Sequence, residues 1–212
     1  MMLKKGTFFI GLIGLAISSC IKHEVIPAPE PKVELSANFE GYIGSQFVEY
    51  TENVDGYVPF ADLATQSANG INHAQYLFSM VSASSIPSIR IGLGSISWSA
   101  ASGTAVPALD LFNSFYASQD APLYSDDALN GFNVTYNAVD GTVWASSEVS
   151  PYNQVVNFSN IKQESDNSGD YSKFTCTFSC YVYHTYNDPP PGITWTDSIL
   201  IENAVYQGWF KR

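Results

Sequence analysis

A regular alternation of apolar and polar residues between Tyr171 and His184 is the feature that most restricts the fold of this chain. Apolar residues occupy every second position of the segment: Phe174, Cys176, Phe178, Cys180 and Val182. A period of two places these side chains on one face of a β-strand, because successive residues of a strand point to opposite faces. The segment therefore predicts a β-sheet protein in which this is the longest strand.

Shorter alternating segments, separated by turn signals, occupy most of the chain from residue 33 onwards. Asp55-Gly56 and Asp140-Gly141 are typical of hairpin turns, and 187–192 is a proline-rich turn that no sheet interior would accommodate. The segment 75–81 is compatible with a strand or a short helix. We expect further strands within 33–42, 46–50, 88–98 (with a bulge at Gly94), 132–144 (a hairpin) and 154–161, and a closing pair of strands at 198–202 and 205–210.

One helix is expected, over Pro107 to Ser118. Proline is well tolerated in the first turn of a helix, and the apolar residues that follow have helical spacing. They are Leu111, Phe112, Phe115 and Tyr116. The predicted fold is thus all-β: a single antiparallel, β-sandwich-like domain over residues 33–212 that contains one short helix.

The two cysteines of the long strand are expected to be free thiols. Cys176 and Cys180 are four residues apart. Four steps along a strand separate two Cα atoms by roughly 13 Å, whereas a disulfide requires less than about 7 Å. Phenylalanines share their face of the strand, so we expect both thiols to be buried and unpaired.

The N-terminus has the features of an export signal. Lys4 and Lys5 precede the uncharged segment 7–17, which is too short to span a bilayer as a helix. The segment ends in small residues directly before Cys20 and resembles the lipobox of bacterial lipoproteins. That resemblance implies that residues 1–19 are a lipoprotein signal peptide and that Cys20 is acylated. Residues 20–32, with a proline at every second position from 27 to 31, are expected to form an extended tether.

The charge of the chain excludes some classes of partner. The sequence has 9 Lys+Arg and 20 Asp+Glu. Cleavage before Cys20 removes two lysines, so the mature net charge becomes −13. Such a chain lacks the basic patches that nucleic acids require, and no nucleic-acid partner is expected. Acyl chains on Cys20 would hold the protein to the lipid bilayer, and the expected location is the cell envelope, at the outer membrane.

Four segments together resemble a group of small lipoproteins from Bacteroidota that have an aromatic-rich β domain and no assigned activity. The segments are the predicted helix at Leu111 to Tyr116, the hairpin at Phe132 to Trp144, the strand at Phe174 to Tyr183 and the ending at Ile199 to Phe210. The resemblance implies a cell-envelope compartment and a β fold. It implies no chemistry.

No spacing of residues points to catalysis, a metal or a cofactor. The chain has no G-x-S-x-G elbow, phosphate-binding loop or calcium loop, and His73 and His184 lack metal-ligand neighbours at the usual spacing. The acidic segment 125–127 is interpreted as a solvated turn. Carboxylates that cleave glycosides can lie far apart in sequence, so a hydrolase stays open as an alternative. We expect a non-enzymatic protein without a metal or cofactor.

Two residues are candidate sites in the mature domain. Trp195 follows the proline-rich turn and is the aromatic residue expected to be exposed for ligand contact. Asp197-Ser198-Ile199 resembles the O-glycosylation site of exported Bacteroidota proteins, with Ser198 as the acceptor. The expected function is a cell-envelope binding or interaction module with a protein or glycan partner. The alternatives are a glycan-binding accessory protein of a nutrient-uptake system and a hydrolase.

Overall fold

Ten β-strands, a short 3-10 turn and one α-helix make up the part of the chain that the structure describes. The structure is a computed structural model that describes residues 32–84, 87–126, 129–187 and 192–212. The elements are β1 (Asn38–Ile43), β2 (Gln46–Thr51), β3 (Tyr57–Ala68), β4 (Ile71–Ser82), β5 (Ser88–Ser99), the 3-10 turn (Ala100–Ser102), α1 (Leu109–Ala117), β6 (Gly131–Asn137), β7 (Val143–Ser146), β8 (Val155–Asp166), β9 (Gly169–Asn187) and β10 (Thr194–Lys211).

The strands belong to one hydrogen-bonded sheet in the order β2-β1-β10-β9-β7-β6-β5-β4-β3, and β8 pairs with β9 beside this path. All of the strand pairs are antiparallel. The sheet curls, so that Gly208 of β10 lies against Phe78 of β4 and Tyr50 of β2 stacks on Tyr57 of β3, with ring centroids 4.5 Å apart. The all-β prediction is confirmed, and the inner face of the curled sheet encloses the core.

The helix lies where the sequence predicted it. α1 buries Phe112 and Tyr116. Tyr116 stacks on Phe210 of β10 at 4.7 Å and meets Tyr76 of β4 edge-on at 5.9 Å. Its hydroxyl donates to the Leu93 carbonyl of β5. The helix therefore closes off the inner face of the sheet beside the C-terminal end of β10.

The last two predicted strands are a single strand, so the prediction of a closing pair is wrong. β10 pairs with β9 throughout, and between Ile201 and Ala204 it contains one residue more than its partner. Asn203 absorbs the extra residue with a φ of 52°, a conformation that asparagine adopts more readily than most residues. A similar register shift occurs in β5 opposite Ala74 and Gln75, which confirms the bulge predicted at Gly94. The segment 75–81 is strand, within β4.

The free, buried state of the two strand cysteines is confirmed. Cys176 is 0 % and Cys180 is 1 % exposed, and neither is in a disulfide. Burial raises the pKa of both thiols, and that of Cys180 reaches about 12. Because the thiolate is the reactive form, both should resist alkylation in the folded protein. We expect a thiol reagent to label them only after denaturation, as counted by intact mass. Labelling of the native protein within minutes would contradict this packing.

The chain enters the domain beside the N-terminal end of β9. The backbone N–H of Val33 donates to Asp166 Oδ2 at 2.7 Å, and Lys173 Nζ donates to the Glu34 carbonyl at 3.0 Å. Hydrogen bonds from the Ser168 side chain and the Val33 backbone lower the pKa of Asp166 to about 2. We call these five residues the tether root. β9 has 19 residues and spans roughly 60 Å at a rise of about 3.3 Å per residue, so its far end is distant from this point.

Candidate functional site

Four aromatic side chains cluster at the end of β9 that is distant from the tether root. Tyr186 stacks on Trp195 of β10, with centroids 5.1 Å apart and planes inclined by 14°. His184 meets Tyr186 edge-on at 4.4 Å and lies 5.7 Å from Trp144 of β7. We call these four residues the aromatic rim.

Strand periodicity explains why these rings meet. His184 and Tyr186 continue the inward-facing series of β9 beyond the buried Val182. Tyr186 pairs directly with Trp195 across β9 and β10, so both side chains share a face. At this end the inner face of the sheet extends beyond the core and becomes partly exposed. Trp195 is 45 % exposed and Trp144 only 6 %.

An open cleft lies at the same end of the sheet. It has a volume of about 520 Å³ and separates the tip of the β1–β2 hairpin from the tip of the β6–β7 hairpin. We call it the rim cleft. Its lining residues are Ile43, Gly44, Ser45, Gln46, Tyr136, Ala138, Val139, Asp140 and Ile199. Ile199 shares its face of β10 with Trp195, which connects the cleft to the aromatic rim.

Hydrogen bonding determines which polar atoms the rim presents. His184 Nδ1 lies 2.8 Å from the Val143 carbonyl. A carbonyl only accepts, so Nδ1 carries the proton and Nε2 is the acceptor of the neutral ring. Trp144 Nε1 is buried and has no acceptor among the described residues. An unpaired buried donor is unfavourable, so this N–H is a polar group in need of a partner.

The charge of this end is negative. The pKa of Asp140 in the cleft is lowered, chiefly by hydrogen bonds from Thr142. Asp197 pairs with His184 across the strands and is exposed. Among the described residues no lysine or arginine lines the cleft. Arg90 lies on the outer face of the sheet, where its guanidinium donates to Thr135 Oγ1. The other described cations lie on the tether root side: Lys32, Lys162, Lys173, Lys211 and Arg212.

The structure places two of the three predicted site residues. Trp195 lies in the aromatic rim. Ser198 is half-buried within β10, in register with Tyr183, on the face opposite to Trp195, and its glycosylation stays a prediction. Cys20 lies outside the described residues, as do the predicted signal peptide and the predicted tether up to residue 31.

Sequence reasoning missed His184, Tyr186 and Asp140 as site residues. A signal for two of them exists in the proline-rich turn. If the turn closes a hairpin, residues at equal distances on its two sides become neighbours, which places Tyr186 opposite Trp195. Asp140 was recognised only as a turn residue, and nothing local shows that its hairpin tip lies near β10.

The remaining polar candidates have structural roles within the described ranges. The Asp126 carboxylate accepts from Ser147 Oγ at 2.9 Å and from the Glu148 backbone at 2.8 Å, which ties two loops together. No group of three or more His, Cys, Asp or Glu residues in these ranges could hold a metal ion. None of the helices in these ranges is long and apolar enough to cross a membrane.

Comparisons with known proteins identify no family for this chain. The sequence matches no protein-family model and no curated protein, and the fold matches no solved structure. The geometry of the aromatic rim and the rim cleft is therefore the basis for a functional proposal.

Proposed function

We propose that this protein is a lipid-anchored lipoprotein of the cell envelope, at the outer membrane, whose β domain is a non-enzymatic binding module. Its ligand occupies the aromatic rim and the rim cleft. The observation that carries the proposal is Trp195, which is 45 % exposed and stacks flat on Tyr186 beside an open cleft of about 520 Å³. Exposed aromatic rings next to a cleft are typical anchors of binding sites.

The position of the tether root agrees with an anchored binding module. Lys173 of the tether root and Tyr186 of the aromatic rim lie on the same strand, 13 positions apart. Along a strand this separation is roughly 40 Å. The proposed binding end therefore lies at the opposite end of β9 from the point where residue 33 enters the domain.

Acylation of Cys20 is the first test. A charged N-terminal region, a short apolar segment and small residues all lead to this cysteine. We expect the wild type to incorporate an alkyne-bearing palmitate analogue and to fractionate with membranes. Cys20→Ser should lose both properties, because the thiol is the acceptor. An unlabelled wild-type protein in the soluble fraction would contradict the anchor.

Photo-crosslinking from the rim is the second test. A benzoylphenylalanine at position 195 in the full-length protein, irradiated in cells of the source organism, should give a discrete adduct of protein or glycan. The matched control is position 152, because Tyr152 is also exposed (51 %) and also stacks on a tyrosine, Tyr181, at 4.1 Å. Equal adducts at both positions, or none at 195, would refute a ligand site at the rim.

A further inference from the structure

We propose that the rim binds an uncharged, hydroxyl-rich ligand, namely a neutral oligosaccharide. This inference rests on the proposed function, since it names the chemistry of the ligand at the same site. Three properties of the rim support it: the exposed face of a stacked ring, the excess of hydrogen-bond acceptors, and the negative local charge.

The stacked pair provides an apolar platform. Tyr186 covers one side of Trp195, and 45 % of the Trp195 surface remains exposed. A pyranose ring presents a face of C–H groups that packs on such an indole while its hydroxyls stay at the edge. The stacking also fixes the orientation of Trp195, so little side-chain freedom would be lost on binding.

The polar groups around the platform match hydroxyls. Asp140 and Asp197 offer carboxylate oxygens, and His184 Nε2 accepts in the neutral ring. Each carboxylate already accepts one backbone N–H, from Thr142 and Ser198 respectively, and its other oxygen can accept from a sugar hydroxyl. A ligand rich in hydroxyl donors can bond to these acceptors, whereas a purely apolar ligand would displace water from them without replacing its hydrogen bonds.

The charge selects against acidic ligands. Asp140 lines the rim cleft and Asp197 lies beside it on β10, and no lysine or arginine among the described residues lines the cleft. A uronate or phosphate placed there would face two like charges without a counterion. Such repulsion should weaken the binding of an acidic sugar about tenfold relative to its neutral counterpart.

The test compares matched neutral and acidic sugars. Purified mature protein, in a polyoxyethylene detergent that has no sugar headgroup, is titrated calorimetrically with oligosaccharides of glucose, mannose or galactose. Each hexose oligomer is also titrated as its C6-oxidised uronate form. We expect at least one neutral oligomer to bind, and its uronate form to bind about tenfold more weakly.

Three variants assign the binding to the rim. Trp195→Ala should weaken the neutral ligand at least about tenfold, as truncation of a central aromatic anchor does. Tyr152→Ala, the matched exposed stack on the outer face, should retain affinity within about twofold. The double change Asp140→Asn and Asp197→Asn should narrow the difference between the neutral and acidic forms, because it removes the repelling charges but keeps polar groups.

The possible outcomes separate the chemistry of the ligand from the location of the binding site. Equal or tighter binding of a uronate form would contradict the proposal that the ligand is neutral, but the rim would remain a binding site. If no oligosaccharide binds but crosslinking at position 195 captures a protein, the inference fails and the proposed function stands. If neither sugar binding nor crosslinking depends on Trp195, both fail together.

Discussion

Replacing Gly208 with valine is expected to lower the free energy of unfolding by about 3 kcal/mol or more, which is a large share of the total stability of a domain. A Cβ at position 208 would lie 2.2 Å from Phe78 Cε1 and 2.6 Å from Cδ1. Phe78 is fully buried and is packed against Trp209 at 4.9 Å and Tyr206 at 5.5 Å. Its ring therefore has no free space into which it could move.

The measurement is urea-induced unfolding of the purified mature protein. Valine is favoured in strands, so a loss of stability at position 208 can be attributed to the clash. Gln207→Val is the matched control, because Gln207 is the adjacent, exposed residue of β10 and should tolerate the change within about 0.5 kcal/mol. Phe78→Ala should lower the free energy of unfolding less in the Gly208→Val background than in the wild type, because the valine then occupies the space that the phenylalanine ring has left. Additive effects would show that the two residues do not touch.

Elements with a strong local pattern were predictable. β9, the β6–β7 hairpin and α1 were all recognised, because alternation, an Asp-Gly turn and helical spacing are encoded within a few consecutive residues. The bulge in β5 followed from a glycine that interrupts an alternating strand. In each case the information that determines the structure lies within the element itself.

Features that depend on distant pairing were not predictable. Glu202 and Asn203 resemble a turn locally, and only the register with β9 shows that they form a bulge in a continuous strand. The curl of the sheet depends on contacts such as Phe78 with Gly208, which are 130 positions apart and leave no mark on the pattern of either strand. Any sequence that buries one face of these strands would look the same.

The candidate site was predictable only in part, for the same reason. Trp195 was recognised because it follows the proline-rich turn. Its ring neighbours come from β9 and β7, which follow β10 directly in the sheet, so they meet through strand pairing between distant segments. The cleft beside them forms only when the curl of the sheet brings the β1–β2 and β6–β7 hairpin tips together. Within the rim, the proline-rich turn relates Tyr186 to Trp195, whereas Trp144 joins them only through the pairing of β7 with β9.

Removal of residues 205–212 is expected to abolish cooperative folding. The segment contains three largely or fully buried aromatic side chains: Tyr206 (0 % exposed), Trp209 (7 %) and Phe210 (0 %). Burial of each contributes about 1.5–3 kcal/mol, and their sum approaches the whole stability of a typical domain, about 5–15 kcal/mol. The deletion would also leave the N-terminal half of β9 without its β10 partner and would remove the ring on which Tyr116 of α1 stacks.

A shorter deletion separates the apolar contribution from the charged one. Removing only Lys211 and Arg212 keeps the three aromatic residues and loses the ion pair of Arg212 with Asp170, whose side chains are 24 % and 21 % exposed. Partly solvated pairs of this kind contribute about 0–1 kcal/mol, so this variant should keep its cooperative transition with a slightly lower midpoint. Near-ultraviolet circular dichroism reports the aromatic packing in both. A variant lacking residues 205–212 that still melts cooperatively would mean that β10 beyond Ala204 is dispensable, and that the core is held by the remaining strands alone.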